Sequence, residues 1–265
     1  VFEGSESELL TMTSELDEMH FDIGMPAMRE GVANMIDNMK GGIKPTSRRT
    51  FLMGAGAAVA GGAALMTVGA PALAGASTRS LRSAKTTDVV GAAFPPSNLK
   101  GDLVVAAVAA SLENLAVFAY SAGLAAAGAG KLGAVPPAVA TFATTVKGQH
   151  QQHANAWNGV LKGAGKAKVS VTNPTLTPVV QADFAKVTDI AGLANLAITL
   201  ETIAAQTYQA ETSMLKSSAA IGLSSSIQPV EMQHIAILYY VLGMYPGAQT
   251  ASGTPVAFNP TSQAL

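Results

Sequence analysis

A nine-residue pattern occurs twice in this chain of 265 residues. Leu112-Glu113-x-x-Ala116-x-x-x-Tyr120 returns 88 residues later as Leu200-Glu201-x-x-Ala204-x-x-x-Tyr208. A second pair of matches follows, Gln152-His153 and Gln233-His234, 81 residues apart. A duplicated helical hairpin leaves this trace, with approximate two-fold symmetry about a central site. Each half then contributes a lone glutamate on its first helix and a ligand pair on its second.

The surrounding sequence reads as helix, and no window shows sustained strand alternation. The first segment runs from about Asp102 to Ala127 and stops at Gly128-Ala129-Gly130. Val135-Pro136-Pro137 opens the second, with proline in the first turn where its missing N–H costs nothing. It carries Phe142, Val146, His150, His153, Trp157 and Leu161 and ends at Gly163. Residues 166–177 are polar and broken by Pro174, so they read as loop. A third helix is expected over Asp183 to Met214, bent near Gly192. A fourth is expected over Ser226 to Leu242, with Pro229 in its first turn. Helices of this length bury one stripe each by forming a bundle. The short link after Gly128 favours antiparallel neighbours, and the longer one after Lys166 permits a crossover.

Composition removes several kinds of chemistry. The chain has no Cys, which excludes disulfides, thiolate catalysis, thiolate metal sites and Cys-attached haem. A formal net charge of −1 gives no reason to expect a nucleic acid partner, and no nucleotide site is expected. Any metal must be held by carboxylate and imidazole.

The chain before Ser77 differs from the rest. Residues 1–46 hold nine acids (Glu3, Glu6, Glu8, Glu15, Asp17, Glu18, Asp22, Glu30 and Asp37) with no strong apolar period. They are expected to be a solvated, disordered extension, with a short amphipathic helix over Met25 to Met39 as the alternative. Residues 47–76 begin Ser47-Arg48-Arg49-Thr50-Phe51-Leu52 and continue as an uncharged Gly/Ala-rich run. This resembles a twin-arginine export signal. Small-residue cleavage patterns stand at Ala72-Leu73-Ala74 and Ala74-Gly75-Ala76. The resemblance implies the twin-arginine export machinery as a partner and a destination in the periplasm, the envelope or outside the cell. Uncleaved, a run of about 20 apolar residues would anchor the chain in a bilayer. Such signals carry folded proteins, which lets a cofactor be inserted first. Residues 77–101 then form a linker, 102–243 the bundle and 244–265 a coil tail.

From Ser77 onward the chain has only four Glu (113, 201, 211 and 231) and three His (150, 153 and 234). His150-Gln-Gln-His153 and Glu231-Met-Gln-His234 are i, i+3 pairs, which project side by side from a helix. Two such pairs and two lone glutamates, one element per helix, converge in a four-helix core. Glu211 is expected on a solvated face. Tyr120 and Tyr208, two turns past their glutamates, are read as outer hydrogen-bond donors or as packed core. Gln149, Gln152 and Gln233 either orient ligands or face solvent, and Trp157 is core.

The order Glu, His pair, Glu, Glu-x-x-His resembles the ferritin-like superfamily of carboxylate-bridged di-metal proteins, in particular its exported members with twin-arginine signals. The likeness covers about Asp102 to Leu242 and implies an all-α, antiparallel ferritin-like four-helix bundle. It implies Glu113 and Glu201 as terminal ligands, Glu231 as a bridge, and His153 and His234 each on one metal. His150 stands where the family usually has a second bridging Glu. Three carboxylates against two divalent ions leave a formal +1, costly in an apolar core. Such a site would recruit an anion or hold a single ion. The resemblance implies iron or manganese, one or two ions, and oxygen, peroxide or ferrous-iron chemistry. Nearby carboxylates argue against haem. The other reading is a non-catalytic envelope stress or scaffold bundle with a vestigial site. The oligomeric state is left open, a dimer included.

Overall fold

A computed structural model describes residues 4–41 and 94–244, and among these the regular structure is all helix. The twin-arginine motif, its apolar run and the tail beyond 244 lie outside the described residues. The helices are α1 (Glu6–Met19), a π-helical turn (His20–Gly24), α2 (Met25–Gly41), α3 (Asp102–Gly128), α4 (Pro137–Gly163), the short α5 (Thr177–Phe184), α6 (Ile190–Met214) and α7 (Ser218–Val241).

Helices α3, α4, α6 and α7 form the bundle, and the order of their buried residues shows their directions. One apolar layer contains Val105, Trp157, Leu161, Leu223 and Ile227. The other contains Phe142, Val146, Ala194, Ala197, Leu238 and Val241. Chain α3 runs from the first layer to the second, α4 and α6 from the second to the first, and α7 back again. So α3/α4 and α6/α7 are antiparallel hairpins. The connection 164–189 traverses the bundle, about 40 Å for helices of 27 residues. The polar positions 113, 150, 153, 201, 231 and 234 fall between the two layers.

Two helix starts differ from expectation for local reasons. Helix α6 begins at Ile190, because Asp189 caps it and accepts from Gly192 N–H at 2.7 Å. The anticipated bend at Gly192 is that cap. Helix α7 begins at Ser218, capped by Ser217, so Pro229 sits inside the helix. Pro229 and Ser225, whose carbonyl loses its helical donor, are both exposed, so water can satisfy that carbonyl.

The largest correction concerns the N-terminal extension. Residues 6–41 are helical and packed, where a solvated segment was expected. A buried stripe runs through Leu9, Thr13, Leu16, His20, Gly24, Met28, Gly31 and Met35. Half of it is Thr, His and Gly, which hides the period from a hydrophobicity reading. The acids decorate the other faces. Leu9, Leu16, Met28 and Met35 are at most 3% exposed, and each such burial contributes about 1.5–3 kcal/mol against the entropy of ordering. Leu9 and Leu16 enter one layer and Met28 and Met35 the other, so the segment lies along the whole bundle with His20 at mid-height. Glycines admit it. A Cβ on Gly31 would meet Leu223 at 3.1 Å, and one on Gly163 would meet Ile36 Cδ1 at 2.7 Å.

Candidate metal centre

All six ligand candidates named from the sequence meet in one buried cluster. Glu113 comes from α3, His150 and His153 from α4, Glu201 from α6, and Glu231 and His234 from α7. None is more than 3% exposed. They fall into two four-residue sets, Glu113-His150-His153-Glu231 and His150-Glu201-Glu231-His234, each with ligand atoms within 4.8 Å of one another. Glu231 and His150 belong to both sets.

His150 presents one nitrogen to each half. Its Nδ1 is 2.8 Å from Glu113 Oε2, and its Nε2 is 3.1 Å from Glu201 Oε1. Glu231 also divides itself, with Oε1 3.0 Å from His153 Nδ1 and Oε2 3.2 Å from His234 Nδ1. Yet neither Glu231 oxygen and neither His153 nitrogen has a hydrogen-bond partner. These atoms are close to one another but not aligned to share a proton. Buried donors that converge without pairing fit a common cation better than a closed polar network. The donor set of carboxylate and imidazole suits a first-row transition metal.

The electrostatics are those of charges held in a dry core. Burial opposes charge on Glu113, yet His153 and His150 hold its carboxyl down to about 2. Burial likewise opposes charge on Glu201, and His150 and His234 hold it well below the usual range. Burial disfavours the imidazolium of His153, but Glu113 and Glu231 raise it to about 9. His150 and His234 are also raised, against burial, by Glu201 first among their neighbours.

The tyrosines are outer donors, and they cross between halves. Tyr120 donates to Glu201 Oε1 at 2.6 Å, and Tyr208 donates to Glu113. Burial and the facing carboxylates push both phenols well above their usual range. Trp157 is core, and its indole N–H reaches the Tyr208 hydroxyl at 3.1 Å. Gln149 accepts at 2.8 Å from His234 Nε2, and Gln152 Oε1 lies 2.6 Å from His20 Nε2. Gln233 reaches the Met19 sulfur on the outside.

Three residues were not anticipated. Glu211 is buried, not solvated; burial first and the Glu113 charge second raise it to about 8. It lines a small cleft with Leu112, Glu113, His150, Ala204 and Tyr208. His20 and Asp17 come from the N-terminal segment. His20 is the one histidine that precedes the bundle, and its burial shows only in the fold.

Residues 101–244 match the family model of the ferritin-like domain. The chain belongs to the ferritin-like domain family. Neither the curated proteins nor the solved structures gave a match. The ferritin-like domain starts at the residue before α3 and ends just past α7, so α1 and α2 lie outside it.

Proposed function

We propose that this ferritin-like domain binds one or two first-row transition metal ions, iron or manganese, and serves redox chemistry with oxygen, peroxide or ferrous iron. The observation that carries this reading is the sharing of Glu231 and His150 between two four-residue ligand sets. Glu113 and His153 would complete one position, and Glu201 and His234 the other. A bound ion of this kind would supply electrons and Lewis acidity. The chain's own part is geometric and electrostatic. The apolar layers exclude water, Tyr120 and Tyr208 hold the terminal carboxylates in place, and a small cleft lies beside Glu113.

The competing reading is a vestigial, non-catalytic bundle. It draws on His150, which already bonds to both Glu113 and Glu201. Purified protein should be analysed for metal, then mixed with ferrous iron and oxygen and followed optically. Metal with turnover supports the redox reading. Metal without turnover supports a binding or storage role. Neither supports the vestigial bundle.

Export by the twin-arginine route is proposed on the sequence of residues 47–76. Its consequence for the fold is topological. A bilayer-spanning run puts its two flanks on opposite faces, and cleavage at Ala74 or Ala76 severs them. The form with α1 and α2 packed on the domain is therefore the form that precedes translocation. Fractionation of cells expressing the chain with and without Arg48→Lys/Arg49→Lys tests this: equal distributions contradict export.

A further inference from the structure

The N-terminal segment does more than cover the bundle. It reaches the outer sides of both terminal imidazoles, through Gln149 at His234 and by ring contact at His153. His234 Nε2 bonds to Gln149 Oε1 at 2.8 Å, and the Gln149 amide in turn donates to Asp17 Oδ1 of α1 at 3.2 Å. On the other half, the His20 ring stands edge-on to His153, with centroids 5.3 Å apart, and is itself fixed by Gln152 at 2.6 Å. His20 is 1% exposed, and its Nδ1 has no hydrogen-bond partner. It occupies a π-helical turn, a local irregularity common at functional sites. A Cβ on Gly24 would lie 3.2 Å from His20 Nδ1, so the glycine makes room for the ring.

We infer that residues 6–41 are part of the metal centre, with Asp17 and His20 as positioning residues for His234 and His153. This rests on the metal-binding reading above and adds residues that lie outside the ferritin-like domain. The physical basis is general. A metal-bound imidazole is oriented by what its second nitrogen meets, and loss of such partners typically costs about 10- to 100-fold in metal affinity. Asp17 acts through Gln149, which without it is free to rotate away from His234. His20 acts by contact, fixing the His153 ring and shutting water from its outer side. Both devices run through glutamines of α4, Gln149 and Gln152, one toward each terminal histidine.

The test uses the full chain and cobalt(II) alone as the probe, read by chelator competition and by its visible ligand-field spectrum. Asp17 is only half-buried, so Asp17→Ala should leave the helical circular dichroism unchanged. It should weaken cobalt binding about 10- to 100-fold, and Asp17→Asn, which keeps the acceptor oxygen, should restore it. His20→Ala should change the cobalt spectrum. Wild-type affinity and spectrum in Asp17→Ala and His20→Ala would overturn the inference while leaving the metal centre standing. So would failure of Asp17→Asn to restore binding. No cobalt on the wild-type chain would overturn the metal reading and this inference together.

Discussion

The Tyr120 hydroxyl of α3 donates to Glu201 Oε1 of α6 at 2.6 Å. Tyr208 of α6 returns the same bond to Glu113 of α3. Each half of the duplicated pattern thus anchors the carboxylate of the other. A hydrogen bond to a charged group contributes about 1.5–3 kcal/mol, so Tyr120→Phe and Tyr208→Phe should each lower the stability of the metal-free protein by roughly that amount. The two tyrosines belong to one network through His150, so the double variant should depart from additivity. Urea denaturation of the four proteins checks this. Losses under about 0.5 kcal/mol would mean the tyrosines are packing alone.

Protonation should set the stability of the metal-free form. Glu113 is held down to about 2, so its contribution is complete above 4.5 and is lost as pH falls through 2. His153 is raised to about 9, so its contribution is complete below 6.5 and is lost as pH rises through 9. Stability of the metal-free protein should therefore fall between pH 6.5 and 9, by on the order of 2–3 kcal/mol from this histidine. Metal affinity should climb over the same window, because the ion must displace that proton. Urea midpoints at pH 6, 7.5 and 9 measure the first effect, and a flat profile would count against the buried ion pairs.

Glu211 gives a separate handle on the same window. Its carboxyl is raised to about 8, and one of its oxygens is buried without a hydrogen-bond partner. A raised carboxyl favours the folded state below 4.5 and loses that advantage as pH rises through 8. Glu211→Gln should therefore stabilise the protein at pH 8 by about 1–3 kcal/mol and have little effect at pH 5. Thermal melts at the two pH values check it. A Glu211→Gln variant destabilised at pH 8 would show that the carboxylate has a partner.

The close approach of α2 to α4 should be sensitive to one methyl group. Gly163→Ala places a Cβ against Ile36, whose Cδ1 would be 2.7 Å away. Overpacking of this kind costs about 1–3 kcal/mol, and Ile36→Ala in the same chain should recover most of it. Amide hydrogen exchange should show faster exchange in α2 for the single variant and near-normal exchange for the double. Unchanged exchange in Gly163→Ala would mean that α2 does not pack there.

The bundle and its six clustered Glu and His side chains were legible because each left a periodic mark. Glu113 and Glu201 sit in matching apolar contexts, and His150-x-x-His153 and Glu231-x-x-His234 carry the i, i+3 spacing of one helix face. The family match and the fold agree with that reading. Three features were not legible, for different reasons. The N-terminal helices bury Thr13, His20, Gly24 and Gly31 among four large apolar residues, so their stripe does not stand out by hydrophobicity. Glu211 lies ten residues past Glu201, about three turns, and only packing shows that this position faces inward. The crossed tyrosine bonds could not be read at all. Sequence spacing pairs Tyr120 with Glu113, whereas the bundle sets it against Glu201.

Metal content is the most direct measure of whether six side chains on four helices hold a cation. Protein isolated from its own host should carry one or two equivalents of iron or manganese. If both ligand sets are filled, Glu113→Gln should retain only the metal held by Glu201 and His234, and Glu201→Gln only that held by Glu113 and His153. If a single ion is held, one of the two variants should lose it. Less than a tenth of an equivalent in the unmodified protein, unchanged after incubation with ferrous iron, would contradict the metal centre.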